Sequence, residues 1–306
     1  MRRRFSAGEV LHIYQRTISG FNLFYSVEDF LVFYTIVSVK AKRHQISLMV
    51  LCQMIDHVHL LVSADDITRI SCFVSEYSSL YVREFNSWTG RKGALFSSAY
   101  GSAAKTEAKK IRSAIAYLFN NPVEKKLCSR AEGYKWNYLA YYDLRRRNLH
   151  RPTDHFSRAL TRAIKLVDYQ FKSGRYLKHA FIHNLVRTLG NYEKEFLINH
   201  ISSLYFPFDV EKTCSFYKSH EEMIRAINSN TGSEYDIAEH HYCKSDAPYR
   251  EIISILKSLG IDKIQEVIVY SEDRKKQLLA LLKSKTSASG SQIKKFLHME
   301  RTTNVQ

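Results

Sequence analysis

The chain has 306 residues, 45% of them apolar, which allows about two domains with real cores and argues against disorder. Lysine and arginine outnumber aspartate and glutamate 46 to 30, a formal charge of +16. Such an excess, spread over both halves of the chain, favours a polyanionic partner over a neutral one or a membrane surface.

In chain order, Leu11 to Thr17 has strand composition and is followed by a turn at Ser19-Gly20. Val27 to Arg43 reads as a helix, with Ser26 as N-cap and Glu28 and Asp29 in the first turn. Ile46 to Ile55 is an apolar, β-rich run; Asp56 breaks it and His57 to Ser63 resumes it, so a hairpin or two adjacent strands is expected. Ile67, Ile70, Val74, Tyr77, Tyr81 and Trp88, with Phe85 beside them, mark a long helix whose stripe faces a core or a dimer seam. Ala94 to Tyr100 is expected to be a further strand. Thr106 to Asn120 is expected to be a helix that Pro122 ends. Beyond Leu144 to Arg151 alternating patterns largely vanish and helical periodicity prevails. The chain is therefore expected to divide near 150, into an α+β unit with an antiparallel sheet over 1–150 and an all-helical unit over 151–306.

Two constellations carry chemistry. On a strand, His57 and His59 point to one face and Val58 to the other, so the two imidazoles can share a metal ion; hydrogen-bonded core histidines are the plainer account. On the later helix, Ile111, Ala114, Ile115, Leu118 and Phe119 form one apolar stripe, and Tyr117 falls off it, in line with Lys110, Ser113 and Asn121. The plainer account there is a surface tyrosine beside an asparagine cap.

Together with YQRT (Tyr14–Thr17), FYSVEDFLVF (Phe24–Phe33), MIDHVHLLV (Met54–Val62), YLFNNPVEKKL (Tyr117–Leu127) and GYKWNY (Gly133–Tyr138), these residues resemble the single-tyrosine HUH transposases, within them the REP-associated tyrosine transposase group. The resemblance runs from about Leu11 to Tyr142 and implies a ferredoxin-like HUH domain. It implies Tyr117 as nucleophile, with His57, His59 and Asn121 holding Mg²⁺ or Mn²⁺, and cleavage and rejoining of single-stranded, hairpin-forming DNA through a 5′-phosphotyrosine. Asn120 stays open as a substitute for Asn121, because a residue before proline is biased away from helix. A catalytically silent hairpin-binding protein that keeps the fold, and a nuclease that uses water, are the rival functions.

Other features are less specific. Arg16, Lys110, Arg145, Arg146 and Arg147 are candidate DNA contacts, against the plain account of a solvated basic face. Residues 271–298 read as two helices around a Ser/Thr/Gly turn, a candidate helix-turn-helix or an ordinary helical hairpin. The C-terminal half is expected to supply grip on DNA and a 1–150 fragment to keep the chemistry; a homodimer is a further expectation. His240, His241 and Cys243 lack completing ligands at zinc spacing. Five widely spaced cysteines with no C-x-x-C fit reduced thiols in a cytoplasmic, nucleoid-associated protein. The basic start is not followed by an apolar leader segment, and the longest apolar run, Phe30 to Val39, is too short to span a bilayer.

Overall fold

The structure is a computed structural model and describes residues 6–97, 100–142, 156–229 and 245–299. Four strands form one antiparallel sheet: β1 (Val10–Arg16), β2 (Ser47–Gln53), β3 (His57–Ser63) and β4 (Gly101–Lys105), in the order β2-β3-β1-β4. Helix α1 (Val27–Arg43) leads into β2, and α2 (Ile67–Thr89) follows β3. The pleat sorts side chains onto two faces. Gln15 and Gln53 point to the α1/α2 side, where the Tyr77 hydroxyl donates to Gln15 Oε1 at 2.7 Å and Gln53 Nε2 donates to the Phe30 carbonyl at 3.1 Å. The opposite face is covered by α3 (Ala108–Glu124).

The hairpin over β2 and β3, the capped helix α1 and the long helix α2 fall where the periodicity puts them. In α2, Ile70, Phe73, Val74, Tyr77, Tyr81 and Phe85 are all buried within the one chain. The stripe is thus consumed by the core and offers no ground for a dimer seam. Two expectations need correction. The strand expected over 94–100 lies instead at Gly101–Lys105. Leu95 and Phe96 are buried as loop residues, Phe96 making only an isolated bridge to Thr17, while the small side chains of Gly-Ser-Ala-Ala form the edge strand. Glycine is required at 101: a Cβ there would stand 2.0 Å from the Tyr14 ring. Nor does Pro122 end α3, which runs on to Glu124 with Asn121 helical. A proline in the last turn removes one bond, to the Leu118 carbonyl, and the turn still closes through Lys125 N–H to the Asn121 carbonyl at 3.0 Å and Leu127 N–H to the Pro122 carbonyl at 2.9 Å.

The C-terminal region is helical: α4 (Arg158–Lys172), α5 (His179–Val186), α6 (Asn191–Leu204), α7 (Val210–Cys214), α8 (His220–Ser229), α9 (Pro248–Ser258), α10 (Glu272–Lys285) and α11 (Gly290–Phe296). It shares a continuous hydrophobic core with the sheet unit. The Tyr34 hydroxyl donates to the Ser202 carbonyl at 2.7 Å, and Phe208 stacks on Tyr34 and Tyr138. Beside β2, Phe208 bridges Leu48 and Asp209 N–H donates to the Leu48 carbonyl at 2.8 Å, so this sheet edge is blunted from within. The expected helix pair over 271–298 is present as α10 and α11, but Ile293 and Phe296 of the second helix are fully buried, Phe296 edge-on to Tyr25 with ring centroids 4.9 Å apart. Arg145, Arg146, Arg147, the expected boundary near 150 and the His240–Cys243 segment lie outside the described residues.

Candidate active site

The register of β1 and β3 assembles the site. Arg16 stands opposite His57 and Tyr14 opposite His59, and cross-strand partners project to the same face. His12, in phase with them on β1, joins the same row. His57 and His59 have ring centroids 4.8 Å apart, and the Tyr117 ring stands edge-on to His59 at 6.4 Å. One turn along α3, Asn121 Nδ2 donates to the Tyr117 hydroxyl at 3.4 Å. Residues from two strands and a distant helix thus meet at one spot.

Tyr117 departs from expectation in one respect. It is 3% exposed and sits on no solvent face. Ala114 to Pro122 is buried all round, because α3 is covered by the sheet on one side and by α8 on another. The positions off the apolar stripe are therefore internal, and the polar residues among them, Tyr117, Asn120 and Asn121, face partners inside the protein.

Each histidine is oriented through Nδ1. The His57 Nδ1–H donates to Asp56 Oδ1 at 2.6 Å. His59 Nδ1 lies 3.0 Å from His12 Nε2, and when it donates there, its Nε2 carries the lone pair a metal requires. Burial, then the nearby charges of His57, His12, Arg16 and Lys125, hold the His59 pKa well below the usual imidazole range, so it is neutral. Burial would raise the Asp56 pKa, but its hydrogen bond with His57 and the charges of His57, Lys295 and Lys125 outweigh this and bring it down to about 2. The turn that carries Asp56 is fastened from outside: Thr17 N–H donates to the Asp56 carbonyl at 3.3 Å and Leu23 N–H to the Ile55 carbonyl at 2.6 Å.

Among the described residues, no group of three or more His, Cys, Asp or Glu side chains is arranged to hold a metal ion. A cation here would be met by two imidazoles and an amide oxygen, and the donors suit that. Asn121 Oδ1 is buried with no hydrogen-bond partner among the described residues, which is costly unless something else satisfies it. Asn120, 4% exposed, is also buried on this helix.

Sequence reasoning missed four neighbours. His12 was legible as the in-phase residue of β1. Asp56 was visible only as a strand breaker, although a carboxylate beside a ligating histidine is a known way to orient it. Asp246 and Lys295 come from the far end of the chain, and no local pattern announces them. Burial, followed by the Asp56 charge, pushes the Asp246 carboxyl up to about 6, offset by His57, Lys125 and Lys295. Of the expected DNA contacts, Arg16 is exposed at the rim beside His57, and Lys110 is exposed in the first turn of α3, paired with Glu107 at 3.2 Å.

Fold and site together define a class: an antiparallel α+β domain in which a strand-borne histidine pair lies beneath a helix-borne tyrosine. Residues 12–121, about a third of the chain, match the family model described as "Transposase IS200 like". No curated protein matches. Among solved structures, the chain is similar to one described as a REP-associated tyrosine transposase bound to a REP hairpin, at 12% identity, over 44% of this chain and 78% of that one, with a TM-score of 0.35. That likeness is too loose to carry an argument. No described helix is long and apolar enough to cross a membrane.

Proposed function

We propose that this protein cleaves and rejoins single-stranded, hairpin-forming DNA, with Tyr117 as nucleophile and His57, His59 and Asn121 holding Mg²⁺ or Mn²⁺. The observation that carries the reading is the convergence of these four side chains from β3 and α3 on one buried spot. The bound cation would supply Lewis-acid polarisation of a phosphate oxygen. Tyr117 Oη attacks phosphorus, forming a phosphotyrosine on the 5′ side; the bond from phosphorus to the 3′ oxygen breaks, the phenol proton leaves to solvent and the 3′ oxygen takes one up. The reverse attack by a 3′-OH restores the tyrosine, so no nucleotide cofactor is consumed. Asn121 holds the Tyr117 hydroxyl in place, and His12 and Asp56 fix the two imidazoles. Arg16, Lys110 and the run Arg145, Arg146 and Arg147 would contact phosphates. A place among cytoplasmic, nucleoid-associated proteins follows from such a substrate.

The test is incubation of the full chain with a pool of single-stranded DNA hairpins and Mn²⁺, resolved on a denaturing gel. The wild type should give cut DNA and a protein band shifted by the attached strand. Tyr117→Phe should give neither while keeping DNA and Mn²⁺ binding, because only the hydroxyl is removed. An adduct that survives Tyr117→Phe would name another tyrosine; binding without any cleavage by the wild type would favour a silent hairpin-binding protein, and cleavage with no adduct a nuclease that uses water.

A further inference from the structure

Helix α11 lies well outside the family-matched segment 12–121, yet it docks beside the histidine pair. Its backbone is anchored to the loop after β1. Asn22 N–H donates to the Lys295 carbonyl at 3.4 Å, and the Tyr25 hydroxyl donates to the Phe296 carbonyl at 2.8 Å. Just past the helix, His298 stacks on Phe21 with centroids 4.5 Å apart, and its Nε2–H donates to the Asn22 carbonyl at 3.1 Å.

The Lys295 side chain is guided as well. It runs over Gly20, where a Cβ would stand 3.1 Å from both Cε and Nζ, and where φ of +67° suits glycine. The ammonium comes to rest 3.5 Å from Asp56 Oδ2, with both side chains about a quarter exposed. The other oxygen of that carboxylate, Oδ1, is the one that accepts from His57 Nδ1 at 2.6 Å. An unbroken chain of polar contacts thus runs from the C-terminal helix to a candidate metal ligand.

We propose that Lys295 is a positioning residue of the candidate site: its ammonium pins Asp56, and through Asp56 it orients His57 so that Nε2 presents to a divalent cation. The inference rests on the reading of His57 as a metal ligand. It assigns part of the site to the C-terminal region, so that docking of α11 and competence of the histidine pair are linked. A plain, partly exposed ion pair would do none of this and would contribute little.

The test measures Mn²⁺ affinity of the full chain by the electron paramagnetic resonance signal of free Mn²⁺, with melting temperature as the check on folding. Lys295→Met keeps the aliphatic length and removes the charge; it should weaken Mn²⁺ binding about tenfold, the lower end of the effect of losing an outer-shell partner. Lys295→Arg should restore most of the affinity, and Lys294→Met, one residue away on the same helix, should leave it unchanged. Lys295→Met should add nothing to the loss already caused by Asp56→Asn, since both act through one contact. Lys295→Gln gives a second neutral variant should the methionine protein unfold. Wild-type affinity in the neutral variants, or a loss that adds independently to that of Asp56→Asn, overturns the proposal while leaving the metal reading intact. If the wild type binds Mn²⁺ no better than His57→Ala, the metal reading itself fails and this inference falls with it.

Discussion

His12 illustrates how much of the site depends on side chains that need touch no substrate. Its Nε2 lies 3.0 Å from His59 Nδ1, and both rings are fully buried. Replacing it by phenylalanine keeps the ring volume and removes the hydrogen bond. His12→Phe should therefore weaken Mn²⁺ affinity about tenfold while the melting temperature shifts little; titration calorimetry at fixed pH reads it, and unchanged affinity would show that His59 needs no such support. The common face of His57 and His59, and the stacking of Asn121 one turn from Tyr117, were legible because strand alternation and helical spacing are local rules; the roles proposed for them came from the family resemblance. Lys295 and Asp246 were not legible, because their nearness to Asp56 follows from how α9 and α11 pack. The burial of Tyr117 was not legible for a related reason: helical periodicity in α3 marks one packing face, and the fold supplies several.

At the scale of elements, Asp29 joins three of them. Its Oδ2 accepts from Tyr25 N–H at 2.8 Å, Ser26 N–H at 2.9 Å and Gln265 Nε2 at 2.9 Å, and its Oδ1 meets His179 Nε2 of α5 at 3.0 Å. The sequence marked Asp29 only as a favourable first-turn charge on α1; the capping role is local, whereas the two tertiary partners are not. Removing the shared acceptor of a buried, hydrogen-bonded set leaves the others stranded, so Asp29→Ala should cost about 3–5 kcal/mol in urea unfolding. Glu107→Ala breaks only the exposed pair with Lys110 and should cost less than about 0.5 kcal/mol. Equal effects would mean that the buried set adds no more than a surface pair.

Docking of α11 carries a pH signature through His298. Burial, offset in part by the hydrogen bond to the Asn22 carbonyl and reinforced by the charges of Arg91 and Lys275, lowers its pKa to about 3. In the unfolded chain it titrates near ~6.5. Between those values the unfolded state takes up a proton that the folded state refuses. The stability is thus fully present above about pH 6.5 and falls as pH drops towards about 3, by roughly 1.4 kcal/mol per unit from this one group. Urea midpoints at pH 7, 6 and 5 should show the decline. His298→Phe, which keeps the stacking on Phe21, should flatten it by about one proton's worth; an unchanged slope would assign the effect elsewhere.

For the whole molecule, the decisive fact is the shared core. The composition pointed to two units, and the sheet and the helices are separate in sequence, but Phe206, Phe208, Leu197 and Ile201 are buried in one cluster with Tyr34, Met49 and Tyr142. Cutting the chain near residue 150 would bare that surface, and a core opened on this scale does not close again. A 1–150 fragment should therefore bind the dye ANS and melt without a cooperative transition, contrary to the sequence-based expectation that it keeps the chemistry alone. A fragment that melts cooperatively and cleaves hairpins would instead support the two-unit division.

The burial of Tyr117 has a kinetic consequence. With 3% of its surface accessible, the phenol, read as the nucleophile, would meet a phosphodiester only after the residues packed around it move. The observed rate is then the intrinsic rate multiplied by the fraction of molecules that are open: at one per cent open, turnover is about a hundredfold below the chemical limit. A strand that binds the open form preferentially raises that fraction by its own differential affinity, whereas a passing strand that does not leaves it unchanged. On the proposed reading of Tyr117 as nucleophile, discrimination between DNAs would thus reside in the population of the open state, and a phenol held shut would be spared futile attack on whatever phosphodiester diffuses by.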